Sequence, residues 1–227
     1  MLSSLVGFEW RYHTRQASFL AAILFFVGWG FLLTATGFGP ANLDVNAPFL
    51  VMQTLGFVSI FSVFAVAIFG SNAVLRDGEH RMEEIVFTTP VGKFQYLIGR
   101  LSGAFLAALT TASVAAIGMI VATRMPWQNA ERVAPIELSS YLWALVVLVV
   151  PNVLFATVLL FAIAVATRSA LATYVGAVFI YVMYFVGAAL TNSPLMAASV
   201  AGGGGGVLPA LLDPFGLSSF FHDTRYW

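Results

Sequence analysis

Residues 142–150 read Leu-Trp-Ala-Leu-Val-Val-Leu-Val-Val, within a 30-residue stretch between Glu137 and Arg168 that contains no charged side chain. The apolar residues follow one another without the polar and apolar alternation of a membrane β-strand. A helix crosses the hydrocarbon of a bilayer with about 20 apolar residues, and it satisfies its own backbone hydrogen bonds there. This stretch therefore predicts a membrane-spanning helix.

Other long uncharged stretches repeat the pattern along the chain. The 227 residues include ten Lys and Arg and ten Asp and Glu, which is 9% charged, whereas soluble domains contain about 25%. This composition excludes a soluble globule and a disordered chain, and the balance of charge argues against nucleic acid as a partner. We predict an all-α polytopic membrane protein with five spans: Phe19–Thr36, Phe49–Val74, Leu101–Thr123, Tyr141–Ala166 and Leu171–Leu190.

The first 17 residues have the pattern of a helix that lies in the membrane interface, with membrane lipids as its partner. Arg11 and Arg15 share a polar arc with Ser3 and Ser4, while Trp10 falls on the apolar arc. Glu9 also falls on the apolar arc. A buried carboxylate needs a cationic partner, so Glu9 either pairs with an arginine of a later segment or reaches water from a frayed helix end.

The distribution of basic residues predicts a cytoplasmic N-terminus, because seven of the ten then lie inside and three outside. The predicted domains are an interfacial helix at 1–17, a five-span domain at 18–190 with a cytoplasmic loop at 75–100, and an outer segment at 191–227. The outer segment includes five consecutive glycines at 202–206 and is predicted to be re-entrant or interfacial, in a chain that continues into further spans.

The loop at 75–100 is the most polar part of the chain and contains eight of the chain's twenty charged residues. Met82, Ile85 and Val86 form an apolar stripe at helical spacing. From these residues alone, the loop is either a helix that a partner grips or a solvated connection between two spans. Thr89 and Pro90 predict the start of the helix that leads into the third span.

The order of residues in this loop, from Leu75-Arg76-Asp77 through Phe87-Thr88-Thr89-Pro90-Val91 to Gly99-Arg100, resembles the loop between the second and third spans of ABC-2 type transporter permeases. Phe8-Glu9-Trp10-Arg11-Tyr12 resembles the interfacial helix of the same family. Leu212–Gly216, with Thr224–Trp227, resembles a subgroup that carries an M1-like metallopeptidase domain. The resemblance implies a bacterial inner-membrane exporter component whose loop docks on a separate ABC ATPase. The implied ATPase-coupling interface is Arg76, Asp77, Glu79, Arg81, Met82, Glu83, Glu84, Ile85, Val86 and Phe87. The residues assigned to the interfacial helix are Glu9, Trp10, Arg11 and Arg15.

No motif in the chain predicts catalysis, a cofactor or a metal. The only lysine, Lys93, is not part of a phosphate-binding loop, and His13, His80 and His222 are far apart without an H-E-x-x-H motif. Ser218 and His222 stand at i,i+4 outside the spans, which is a common chance pairing. We therefore expect a permease and not an enzyme. The alternative is a secondary carrier or a non-transporting membrane scaffold.

Small residues in the spans predict close helix packing. They would face a second bundle, which is either a following half of the same polypeptide or a second copy in a dimer. The residues in question are Gly28, Gly30, Ala107, Ala108, Gly176 and Gly187. Asn72 and Asn152, within the spans, are predicted to bond between helices or to line a path.

Overall fold

The computed structural model describes residues 2–39, 42–79, 92–190, 213 and 215–217. All regular elements among these residues are helical, as predicted. They are α1 (Leu2–Thr14), α2 (Ala17–Ala35), α3 (Pro48–Glu79), α4 (Lys93–Ser113), α5 (Ala115–Ala122), a 3₁₀ turn (Ala130–Arg132), α6 (Leu138–Ala144), a π-helical turn (Leu145–Val149), α7 (Val150–Thr167) and α8 (Ala170–Leu190).

Four helical stretches in the described part of the chain are long and apolar enough to cross a membrane. They are Ala17–Ala35, Pro48–Arg76, Lys93–Ala122 and Leu138–Thr167. These stretches match the first four predicted spans. The fifth, Leu171–Leu190, coincides with α8, whose apolar part Ala170–Val186 is shorter. That α8 crosses the membrane stays a prediction.

Proline follows a π-helical turn in the fourth span, and glycine marks the start of the third. Pro151 has no N–H to donate to the carbonyl four residues earlier, and a π-helical turn ends at Val149, directly before α7. The helix into the third span begins at Lys93, and Gly92 before it has an extended backbone (φ −65°, ψ 140°). The prediction that this helix begins at Pro90 is therefore wrong, because glycine is a weak helix former and caps it instead.

The chain divides into two compact units, Met1–Tyr174 and Val175–Trp227. In the first unit α3 is the central helix, with two thirds of its spanning window buried, compared with about a fifth for α2. Asn152 on α7 donates to the hydroxyl of Ser59 on α3 at 2.9 Å, and both side chains are buried. In the second unit, the rings of Tyr184 and Phe215 meet edge to face at 5.3 Å.

Close helix contacts within the first unit rest on small residues. A Cβ on Gly30 would collide with the Ala115 carbonyl, and one on Gly118 would collide with the Val27 carbonyl. Ala107 and Ala108 are fully buried. The prediction that Gly30, Ala107 and Ala108 face a second bundle is therefore wrong, since α2, α4 and α5 use them for packing inside this chain. Gly28 has open space around it.

A cytoplasmic N-terminus places two connections outside, the one after α2 and the one after α5, and these two connections contact each other. Asn46 accepts a hydrogen bond from the Ala134 amide at 2.9 Å, and the Val45 amide donates to the Arg132 carbonyl at 2.9 Å. The connections after α2 and after α5 therefore lie at one end of the bundle. α1 lies at the other end of α2, because a 19-residue helix is about 28 Å long. The predicted outer segment, including residues 202–206, lies outside the described residues up to Leu212.

Single cysteines test the orientation, since the chain has no cysteine of its own. We expect an impermeant thiol reagent to label Asn42→Cys and Asn129→Cys in intact cells, because both positions are exposed at the predicted outer end. Gly92→Cys should react only after the membrane is permeabilised. Asn46→Cys serves as the buried control, since Asn46 is 6% exposed. Labelling of the Gly92 site alone in intact cells would show that the true topology is the reverse of the predicted one.

Candidate functional site

Glu9 lies in the interior of the first unit, with 1% of its surface exposed. Arg76, near the end of α3, holds the carboxylate with both guanidinium ends, at 2.6 Å to Oε1 and 3.3 Å to Oε2. Arg100 on α4 brings its Nε to 3.8 Å from Oε1, and His13 lies 3.8 Å from Oε2. We call Glu9, His13, Arg76 and Arg100 the Glu9 cluster. Of the two interpretations of Glu9, pairing with a later arginine is confirmed.

Aromatic rings and backbone oxygens hold the two arginines in place. The Arg76 guanidinium lies 4.0 Å from the centre of the Tyr12 ring, a cation–π contact that is strengthened by burial. Arg100 stacks over Tyr96 at 4.6 Å and donates to the Ala73 carbonyl of α3. The orientation of each guanidinium is thus fixed by these neighbours as well as by the carboxylate.

His13 completes the cluster without adding charge at neutral pH. Burial, and then the positive charge of Arg76, lowers the pKa of His13 from 6.5 to about 4. Its imidazole lies against Phe69 of α3, with ring centroids 5.4 Å apart. Protonation would place a third cation beside Arg76 and Arg100, so the cluster favours the neutral ring.

Two glycines on α4 make room for α1. A Cβ on Gly103 would collide with Cβ of Glu9, and one on Gly99 would lie 3.1 Å from Cβ of Leu5. Gly99 and Gly103 are four residues apart and therefore share one helix face. Arg100, beside Gly99, can reach the Glu9 carboxylate because these glycines let α1 lie directly on α4.

The cluster joins the two ends of the polar loop. Arg76 precedes residues 77–99 and Arg100 follows them, and the carboxylate of Glu9 binds on one side and approaches the other. Arg76 was assigned to the coupling interface, but its side chain is 6% exposed and lies in the cluster. The backbone of Asp77 and Glu79 forms the last turn of α3, whereas Arg81, Met82, Glu83, Glu84, Ile85, Val86 and Phe87 lie outside the described residues.

The remaining residues of the predicted interfacial helix divide by burial. Trp10 is half-buried and meets Phe19 of α2 edge to face at 6.1 Å. Arg11 is exposed on the side of α1 opposite Glu9, and Arg15 is exposed in the turn directly after α1. The helix is thus amphipathic in an unusual sense, since its inner face carries a carboxylate and an imidazole as well as apolar groups.

The sequence alone indicated no role for Arg100, His13, Gly99 or Gly103. The spacing of the two glycines, with an arginine between them, was the available signal for close helix approach. His13 stands four residues after Glu9 and thus on the same face of α1. Among the described residues, no group of three or more His, Asp or Glu side chains lies close enough to hold a metal ion.

Loss of the Glu9 side chain should destabilise the protein, because two buried guanidiniums would lose their shared carboxylate. We expect Glu9→Ala to lower the free energy of unfolding by about 3–5 kcal/mol. Glu131→Ala is the matched control, since Glu131 is exposed, and it should change stability by about 0.5 kcal/mol or less. Thermal unfolding of both purified variants in detergent measures the difference. Equal stability of the two would show that the cluster contributes nothing.

A protein-family model described as "ABC-2 family transporter protein" matches residues 42–202, which is more than two thirds of the chain. The match includes α3, the polar loop and all the later described helices up to α8. It gives no support to the metallopeptidase-fused subgroup. No curated protein matches the sequence. With four long apolar helices and this match, the chain belongs to the ABC-2 family of transporter proteins and is a membrane component of an ABC transporter.

Proposed function

We propose that this chain is the permease of an ABC exporter and moves its substrate with the energy of a separate ABC ATPase subunit. The observation that carries the proposal is the shared carboxylate of Glu9, which ties together the two flanks of the polar loop. A loop that only connects two spans functions without an ion pair between its flanks. A loop that receives force from a partner requires such an ion pair, because its two flanks must move together.

In this proposal, residues 79–87 would form a coupling helix that docks in a cleft of the ATPase. Met82, Ile85 and Val86 would be buried there, with Arg81, Glu83 and Glu84 around them. Burial of one such apolar side chain contributes roughly 1.5–3 kcal/mol. Closure of the ATPase around its nucleotide would then displace the loop.

The Glu9 cluster would convert this displacement into movement of a larger body. α3 and α4 are held to α1 by the ion pairs and by the close contacts at Gly99 and Gly103. α1 continues into α2 after two residues, Arg15 and Gln16, and α2 lies tightly against α5 through Gly30 and Gly118. Displacement of the loop would therefore move all of these helices together.

We further propose a bacterial inner-membrane location, a cytoplasmic N-terminus, and a partner bundle that is a second permease half or a second copy. The proposed orientation places the Glu9 cluster and the ATPase on the same side of the membrane. The connections after α2 and after α5 are joined by a hydrogen bond from Asn46 to the Ala134 carbonyl. This contact supports the proposal that the first four spans alternate in direction across the membrane. A secondary carrier remains the alternative, and it would move solute in liposomes without any ATPase.

A charged residue at the centre of the apolar stripe tests the docking. Ile85→Asp should abolish co-purification with the ATPase or its stimulation, because the carboxylate would be buried without a partner. Ile85→Val is the matched control, since it keeps an apolar side chain and should cost at most about 1.5 kcal/mol of docking energy. Both variants must reach the membrane in wild-type amounts. If the Asp variant binds and stimulates the ATPase as well as the Val variant, the docking proposal is wrong.

A further inference from the structure

The exposed side of α1, opposite Glu9, forms an open groove with a volume of about 510 Å³. Arg11 on this face and Arg15, in the turn directly after α1, are four residues apart in sequence, and both are exposed. The groove is lined by Ser4, Phe8, Arg11, Tyr12, Arg15 and Gln16. No carboxylate lines it, because the only acidic residue of α1, Glu9, points to the buried side.

From this arrangement we infer that the groove binds the headgroup of an anionic phospholipid. Guanidinium groups pair with phosphate through two parallel hydrogen bonds. Two guanidiniums, with the hydroxyl group of Tyr12, give the groove several donors for phosphate oxygens.

The position of the groove favours a lipid over a soluble anion. α2, the first candidate span, begins two residues after Arg15, so the groove lies at the end of a membrane-spanning helix. Leu20 and Leu24, on the first turns of α2, are 60% and 65% exposed. They provide an apolar surface for an acyl chain near the site that holds its headgroup.

The floor of the groove connects it to the Glu9 cluster. The rings of Phe8 and Tyr12 stack at 6.4 Å, and the Arg76 guanidinium lies on their inner side, 5.5 Å and 4.0 Å from the two ring centres. A lipid in the groove would thus press on the rings that orient Arg76. The bound headgroup would hold α1 at the membrane surface in the position that the cluster requires.

The test measures retention of lipid by the chain purified in mild detergent. After incubation with equal amounts of phosphatidylglycerol and phosphatidylcholine, native mass spectrometry should show selective retention of phosphatidylglycerol. Replacement of Arg11 and Arg15 by Gln should lower the affinity about 25-fold, or about five-fold for each charge. The control is Lys93→Gln with Arg124→Gln, which removes two exposed charges elsewhere and should retain the lipid. Thermal unfolding must be unchanged in both double variants.

Each of the following outcomes would overturn the inference. Equal retention of both lipids by the wild type, or equal loss in both double variants, would mean general surface charge. Displacement of phosphatidylglycerol by the same concentration of inorganic phosphate would mean a site for free anions. Unchanged lipid retention together with lost ATPase binding in the Arg11 and Arg15 variant would make the groove a protein-docking surface.

Discussion

The fold around α1 depends on the burial of one carboxylate. Glu9 is buried on the inner side of an amphipathic helix, where an isolated charge would be very costly. The ion pairs with Arg76 and Arg100 offset that cost only if α1, α3 and α4 keep their relative positions. The requirement to keep these charges together therefore determines where α1 lies, and it restrains both flanks of the polar loop at once.

Small residues are the second condition for this arrangement. Gly99 and Gly103 allow the backbone of α1 to approach α4, and Gly30 and Gly118 do the same for α2 and α5. In lipid, apolar surface alone gives helices little reason to associate, so close packing and interhelical polar contacts become decisive. Asn152 and Ser59 supply one such polar contact in the centre of the bundle. The first unit is thus held by a few polar contacts and by tight glycine contacts.

The sequence predicted the helical spans well because the absence of charge over 20 or more residues is a strong signal. The partner of Glu9 was foreseen only as an unnamed later arginine. Hydropathy does not show which of several arginines approaches a carboxylate 67 residues away in sequence. The small residues were recognised as packing positions, but Gly30, Ala107 and Ala108 were assigned to the wrong neighbour. A small side chain signals close approach without saying which helix approaches.

The central claim is that one carboxylate couples both flanks of the loop. Two double-mutant cycles test it directly, Glu9→Gln with Arg76→Gln and Glu9→Gln with Arg100→Gln, with the free energy of unfolding as the readout. Residues that share a buried ion network show coupling energies of about 0.5–3 kcal/mol, whereas independent sites add within about 0.3–0.5 kcal/mol. We expect coupling of about 1 kcal/mol or more in both cycles, with the larger value for Arg76 because its contacts are shorter. Additive effects in either cycle would contradict the claim, because Glu9 would then hold at most one flank.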